Sequence, residues 1–299
     1  MATFTKRYHR ESYEAISTET ESNWQAGRTI LINGGSEGIG FTIAKAFVAA
    51  RAASVIILGR RKDTLDMAVN SLRSTSISGT RVSGSVCDFT SDLEVHSLWR
   101  DFVERNIFVD VLVLNAGDAR TGSLLDGLSR TWAAFDTNVL ANLRMAQLFL
   151  AQASDDRSNA LIHISSFMAH SNPAPDQGAY SASKAAIANL FQHLAEEVPV
   201  EKAQIINVHP GAILTSAAER HGYDENTLPW DSDDVPGHFC VWASTKAATF
   251  LHGRLVWANW DVNELQAREE ELKKEPGLLK IGLQGCKIIT SGQANDCSE

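Results

Sequence analysis

Tyr180 and Lys184 stand four apart in a segment with helical periodicity, so both project from one face of one helix. A phenol with a pKa of about 10 is a poor acid or base near neutrality. An ammonium beside it favours the phenolate and lowers that pKa toward the working range. Such a pair can protonate a developing alkoxide or, in the opposite sense, deprotonate an alcohol. Upstream, Ser165 and Ser166 follow an apolar run, with Ser166 fourteen positions before Tyr180. A hydroxyl there would donate to a substrate oxygen and stabilise charge that grows in the transition state. Ser166 is the favoured assignment and Ser165 its rival.

A second group of residues is suited to phosphate. Asn33-Gly34-Gly35-Ser36-Glu37-Gly38-Ile39-Gly40 joins an apolar run to a helical pattern. Gly34 permits a tight turn out of a strand, Gly38 lets backbone approach a pyrophosphate, and Gly40 lets the helix sit close to a sheet. The helix N-terminus offers N–H groups and partial positive charge. A glycine cluster between strand and helix in a first βαβ unit has the context of a dinucleotide-binding loop.

These groups need a scaffold, and the hydrophobic pattern supplies one. Apolar, β-branched runs occupy 29–32, 54–58, 81–86, 109–114, 160–164, 204–208 and 254–257, with helical patterns at 39–51, 62–73, 92–105, 130–153 and 179–197. Short apolar strands alternating with helices predict an α/β fold, a doubly wound Rossmann-type domain with a seven-stranded parallel sheet covered on both faces. The expected organisation is a single domain over 1–299. Residues 1–27 form a polar arm with spaced aromatics, and 262–299 a C-terminal extension whose charged stretch through 274 reads as a solvated helix face. Residues 213–236 break the rhythm and are expected to form a lid or binding loop.

The spacing Gly-xxx-Gly-x-Gly resembles the TGxxxGxG pattern of the short-chain dehydrogenase/reductase family, with Asn33 in place of threonine; its carboxamide can still hydrogen-bond across the turn. The resemblance continues through about 28–260. Asp88 after Cys87 is similar to the aspartate that contacts the adenine amino group. Asn115-Ala116-Gly117 resembles the NAG motif that supports the sheet and lines the cofactor, and Asn138 in FDTNV the family's helix asparagine. Tyr180-Ser181-Ala182-Ser183-Lys184 is the YxxxK motif. Pro210-Gly211-Ala212-Ile213-Leu214-Thr215 resembles the PG motif, whose threonine holds the nicotinamide carboxamide. The resemblance implies strand order 3-2-1-4-5-6-7 and a cofactor across the carboxyl ends of the strands. Its binding residues would be Gly34, Ser36, Glu37, Gly38, Ile39, Arg60, Arg61, Asp88, Asn115, Ala116, Gly117, Tyr180, Lys184, Pro210, Gly211, Ile213 and Thr215. It further implies that Lys184 bonds the nicotinamide ribose and that Asn138 holds a water relaying protons to Lys184. The gap between Ser166 and Tyr180 slightly exceeds the family's usual one, so 167–179 is expected to carry an extra residue. The two ends of the chain resemble a group of fungal short-chain reductases that includes members of secondary-metabolite pathways. Homodimers or homotetramers through the two long helices are implied as well.

Cofactor choice sets two features against each other. The second strand ends in Leu58-Gly59-Arg60-Arg61, without the acidic residue that NAD-preferring relatives use to accept from the ribose 2′-hydroxyl. Arg60 can pair with a 2′-phosphate instead. Against this, Glu37 stands where some NADP-preferring relatives carry a basic residue, but it can turn to solvent or pair with Arg60 or Arg61. NADP(H) is therefore expected over NAD(H). The function implied is the interconversion of a ketone and a secondary alcohol, in the direction of reduction, on a bulky apolar small molecule. Competing classes are a non-redox isomerase or cyclase on the same scaffold, and a cofactor-binding protein without turnover.

Composition narrows the field further. The chain has 299 residues, 44% hydrophobic, with a formal net charge of −9 and no basic run, which disfavours nucleic-acid partners and anionic lipid. No stretch is long enough for a membrane span, and the polar N-terminus is not a secretory signal. Cys87, Cys240, Cys286 and Cys297 are widely spaced without a CxxC pair, which argues against a disulfide framework or zinc site and fits a reducing compartment, the cytoplasm. His163, His193, His209 and His252 lack metal-ligand spacing and are read as packing or surface residues. Among the tryptophans, Trp230 alone lies in the lid segment; Trp242, Trp257 and Trp260 are read first as core or contact residues.

Overall fold

A computed structural model describes residues 3–76, 79–152, 157, 159–171, 173–220 and 222–283. The strands are β1 (Thr29–Asn33), β2 (Ser54–Gly59), β3 (Arg81–Val86), β4 (Val111–Leu114), β5 (Asn159–Ile164), β6 (Ala203–His209) and β7 (Arg254–Trp257). They form one parallel sheet in the order β3-β2-β1-β4-β5-β6-β7. β1 pairs with β2 on one side, Leu31 opposite Ile56, and with β4 on the other, Leu31 opposite Leu112. The strand order reverses there, which opens a crevice at the carboxyl end of β1.

The helices are α1 (Gly38–Ala49), α2 (Lys62–Thr75), α3 (Asp92–Glu104), α4 (Leu128–Phe135), α5 (Asn142–Leu150), α6 (Gly178–Glu197), α7 (Ser216–Arg220), α8 (Asp234–Ala243), α9 (Val262–Ala267) and α10 (Glu269–Lys274). Strand alternation divides the core into two layers. Ile30 and Ile32 pack with Ile43 and Phe47 of α1 and Phe239 of α8, while Leu31 packs with Phe102, Phe149 and Phe191 from α3, α5 and α6. All six residues of β5 and all seven of β6 are buried, as a sheet covered on both faces requires.

Three segments differ from the sequence expectation. The pattern over 130–153 is not one α-helix: α4 and α5 are joined by a π-helical turn, Asp136–Ala141, which carries Asn138. The segment 213–236 is not all loop. It contains α7 and runs into the first turn of α8, where Pro236 is tolerated because the first-turn N–H groups have no intrahelical partner. The stretch 262–274 divides into α9 and α10.

The N-terminal arm lies against the last strand. Tyr8 forms an antiparallel bridge with Trp260, and Tyr13 donates its hydroxyl to the Trp260 carbonyl at 3.2 Å. Phe4 packs on Trp260, which stacks on Trp257. Trp242, Trp257 and Trp260 are all buried, whereas Trp230 is half-buried. Cys87 and Cys240 are buried free thiols; Cys286 and Cys297 lie outside the described residues. No helix among the described residues is long and apolar enough to cross a membrane.

Candidate active site

The glycine-rich loop turns from β1 into α1 through two left-handed glycines, Gly34 (φ 64°) and Gly38 (φ 52°). A Cβ on Gly40 would lie 2.2 Å from the Gly34 carbonyl oxygen, so the helix can start this close to the strand only with glycine there. Asn33 does more than span the turn. Its Oδ1 accepts from the backbone N–H groups of Asn115 (2.6 Å) and Ala116 (2.8 Å), and its Nδ2 donates to Asn142 Oδ1 at 3.2 Å. Asn115 returns the bond, its Nδ2 donating to the Gly34 carbonyl at 3.0 Å. The carboxyl ends of β1 and β4 are thus joined by two asparagines. Replacing Asn33 by alanine should lower stability by about 1–3 kcal/mol, because two half-buried backbone donors lose their acceptor. Asn33→Thr should recover part of that loss, since its hydroxyl can serve one of them. Urea midpoints of the three proteins measure both effects; an unchanged midpoint for Asn33→Ala would show that the bonds contribute nothing.

Ser36, Glu37, Gly38, Ile213 and Thr215 converge on a cleft of about 490 Å³ bounded by α1, α2 and the start of α7. Thr215 also caps α7, its Oγ1 accepting from Ala218 N–H at 3.2 Å. Ile39 opens α1 beside this cleft. Pro210 and Gly211 (φ 97°) turn the chain out of β6. Glu37 forms an ion pair with Arg61. Arg60 is exposed and acts on Asp88: hydrogen bonds from Thr90, and secondarily Arg60, hold the Asp88 carboxyl below its usual range. Asp88 accepts from the Thr90 hydroxyl at 2.6 Å and from its N–H at 3.0 Å.

At the carboxyl end of β5, Ser166 Oγ accepts from Met168 N–H at 3.2 Å, and Ser181 Oγ of α6 donates to the Met168 carbonyl at 2.7 Å, which brings Ser166 next to Tyr180. Ser165 Oγ is buried and meets no partner among the described residues. Of the two serines, then, Ser166 faces Tyr180. Lys184, one turn along α6, is 3% exposed and donates from Nζ to the Ile164 carbonyl at 2.7 Å. Burial lowers its ammonium pKa to about 8. Burial raises the Tyr180 phenol, and the nearby Ser166 opposes that rise. The sequence led us to expect Tyr180 lowered by Lys184; instead desolvation dominates, and the ammonium is engaged with a main-chain oxygen.

Asn138 is fully buried, its carboxamide committed to the loop after β4. Oδ1 accepts from Asp118 N–H at 2.7 Å, and Nδ2 donates to the Asp118 carbonyl at 2.9 Å and to Ser183 Oγ at 2.8 Å. These bonds tie the loop after β4 to the π-helical turn and to α6. Gly117 lets the three elements meet: a Cβ there would lie 3.0 Å from Asn138 Oδ1 and 3.4 Å from Lys184 Nζ.

Sequence reasoning missed two supporting residues. Asn142 links Asn33 to the π-helical turn, its Nδ2 donating to the Asn138 carbonyl at 3.1 Å. His209, read as a packing residue, accepts on Nδ1 from Phe167 N–H at 3.2 Å and so fixes the chain just beyond Ser166; burial, then His170, lowers its pKa to about 3. Neither residue belongs to a spacing motif, and both act through contacts distant in sequence.

A doubly wound sheet with a glycine-rich loop at its switch point, facing a helix that presents tyrosine and lysine, defines the class of dinucleotide-dependent α/β enzymes. A family model described as short chain dehydrogenase matches residues 28–226. The chain belongs to the short-chain dehydrogenase/reductase family of NAD(P)-dependent oxidoreductases. It is 37% identical over 283 residues to a short chain dehydrogenase/reductase of Claviceps purpurea, covering 93% of this chain and 94% of the relative. Two solved structures share the fold. One is a 7α-hydroxysteroid dehydrogenase complexed with NADH and 7-oxo glycochenodeoxycholic acid (TM-score 0.72, 21% identity, 83% of this chain and 97% of that one). The other is the RhlG/NADP active-site complex of Pseudomonas aeruginosa (TM-score 0.72, 22% identity, 80% and 97%).

Proposed function

We propose that the protein is an NADP(H)-dependent reductase that converts the ketone of a bulky apolar small molecule to a secondary alcohol. The observation that carries this reading is the convergence of Ser166, Tyr180 and the buried Lys184 at the carboxyl end of β5, where α6 bonds the chain after that strand. Two hydroxyl donors at one point suit a carbonyl oxygen that becomes an alkoxide. Ser166 orients that oxygen, and Tyr180 gives it a proton. When Lys184 turns from the Ile164 carbonyl toward Tyr180, its charge holds the phenol lower and eases the transfer. The glycine loop fits a dinucleotide: its left-handed Gly38 and the close Gly34–Gly40 approach leave backbone N–H groups open to a pyrophosphate. Gly34, Ser36, Gly38, Ile39, Asn115, Ala116, Gly117, Pro210, Gly211, Ile213 and Thr215 would hold the cofactor, which supplies hydride when bound. Exposed Phe167, Leu124 and Leu228 give the surrounding loops an apolar character that suits a bulky substrate. Exposed Leu128, Trp132, Leu140 and Leu190 support a homo-oligomer through α4–α6. We place the enzyme in the cytoplasm.

The test is to supply NADPH or NADH with a panel of bulky ketones and follow nicotinamide absorbance. Ketone-dependent oxidation of NADPH is expected; absence of turnover with every ketone would favour a non-redox or non-catalytic role. Cofactor preference follows from the charges. Arg61 is paired with Glu37, leaving Arg60 to meet a 2′-phosphate. Arg60→Ala should lower the NADPH/NADH ratio of kcat/KM by about 10-fold or more, the value of a charge-assisted hydrogen bond. Glu37→Gln should raise the ratio, since it removes a negative charge and releases Arg61. A wild-type preference for NADH, or an unchanged ratio in Arg60→Ala, would overturn the assignment.

A further inference from the structure

The chain between β6 and α8 leaves the sheet at Gly211 and returns at Asp231, and its two ends are tied together. Ala212 N–H donates to Asp231 Oδ2 at 2.8 Å, and Asp231 N–H donates to the Ala212 carbonyl at 2.8 Å. Gly211 packs directly on this tie: a Cβ there would lie 2.8 Å from Asp231 Oδ2 and 3.0 Å from Asn259 Oδ1. The Asp231 side chain is completely buried. A buried carboxylate is tolerable only when paired and hydrogen-bonded, and its partners come from the far end of the chain. Arg10 Nη1 lies 2.9 Å from Oδ1 and also donates to the Pro229 carbonyl. Tyr8 donates its hydroxyl to Oδ2 at 3.3 Å; burial, then the charge of Asp231, pushes this phenol up and keeps it protonated. The backbone of the arm joins in. Ser232 N–H donates to the Arg10 carbonyl at 2.7 Å, and Asn259 Nδ2 donates to the His9 carbonyl at 2.8 Å. Three consecutive arm residues therefore grip Asp231 and Asn259, the two side chains on which Gly211 rests.

We propose that Asp231 is a positioning residue, held by Arg10 and Tyr8 of the N-terminal arm, and that this clamp fixes the 211–231 segment against the glycine-rich loop. Thr215, four residues along from Gly211, meets Gly38 there, with its Cγ2 3.4 Å from where a Gly38 Cβ would stand. The clamp converts a long connection with an exposed 222–228 tip into a wall of fixed position. Its consequence for cofactor affinity rests on the reading that this segment covers NADP(H).

Trypsin tests the clamp on the full chain, because α7 ends at Arg220 within the segment. Arg10→Ala should be cut after Arg220 about tenfold faster than wild type, as expected when a local opening becomes easier. Its far-UV circular dichroism should be unchanged, and NADPH, titrated by fluorescence, should bind about tenfold more weakly. Arg10→Lys, which keeps the charge, should fall between the two. Arg7→Ala, which removes an exposed group 4.0 Å from Glu264, should behave as wild type. Should Arg10→Ala be cut throughout the chain, Arg10→Lys carries the test: faster cleavage confined to Arg220 supports the clamp, and a wild-type pattern overturns it. Cleavage of Arg10→Ala at the wild-type rate overturns it as well. Faster cleavage with unchanged NADPH affinity would uphold the clamp and refute the view that the segment covers the cofactor.

Discussion

Tyr180→Phe should lower turnover by about 10²–10⁴-fold, the usual contribution of a positioned acid–base group, while NADPH affinity stays within about twofold. The substitution removes one oxygen and leaves the ring, so α6 and its packing are preserved. The lost oxygen is the proposed proton donor, and Ser166 keeps its link to Met168 N–H. The glycine loop proposed to hold the pyrophosphate is left unchanged. The pH dependence separates this role from a merely structural one. Reduction needs the protonated phenol, and burial raises Tyr180 from its ordinary value. Wild-type kcat/KM for reduction should therefore remain level through neutrality and decline only as alkaline pH deprotonates the phenol. The residual activity of Tyr180→Phe should lack that decline. Turnover within a few-fold of wild type, measured on the ketone reduced fastest by wild type, would remove Tyr180 from the mechanism.

The residues behind that prediction were legible in sequence to different degrees. Strand positions follow from buried apolar runs such as those of β5 and β6, which no amphipathic helix would produce, whereas their order in the sheet came from the family resemblance alone. The i, i+4 placement of Tyr180 and Lys184 follows from helix geometry alone. The choice of Ser166 over Ser165 required three dimensions, because neighbouring residues at a strand end point to opposite sides and only one meets α6. The π-helical turn at Asp136–Ala141 was hidden because one added residue barely disturbs the apolar period of a long helix. Helix α8 escaped for a different reason. Its sequence, DVPGHFCVWA, is buried almost all round and has no polar face to set a period; Gly237 brings it so near α1 that a Cβ would lie 2.8 Å from the Thr42 carbonyl oxygen. The direction of the Tyr180 shift was misjudged because sequence spacing reports a neighbouring charge but not the depth of burial. The arm's grip on Asp231 joins residues more than two hundred positions apart, and no local pattern announces it.

Lys184→Met should abolish turnover and yet make the protein more stable near neutral pH. Loss of function is expected under the proposed mechanism, in which Lys184 turns to Tyr180 to ease proton transfer and would also contact the nicotinamide ribose; both NADPH affinity and turnover should fall. The gain in stability follows from desolvation. Lys184 is 3% exposed, and among the described residues its hydrogen-bond partner is the uncharged Ile164 carbonyl. Burial lowers its pKa from 10.5 to about 8, which corresponds to about 3 kcal/mol of disfavoured charge. Methionine fills a similar volume without a charge, and loss of the bond to Ile164 offsets part of the benefit. A net gain of about 1–3 kcal/mol is expected. The sign of the pH dependence is fixed by proton uptake. Between about pH 8 and 10.5 the unfolded chain holds the lysine proton that the folded chain has released. Wild-type stability from this group therefore rises with pH across that window, and the penalty is complete below it. The advantage of Lys184→Met should be largest near pH 7 and shrink by pH 10, as read from urea midpoints of both proteins at each pH. A variant less stable than wild type at pH 7, or a difference that does not change with pH, would mean that Lys184 is a supporting member of the fold and not a strained group maintained for chemistry.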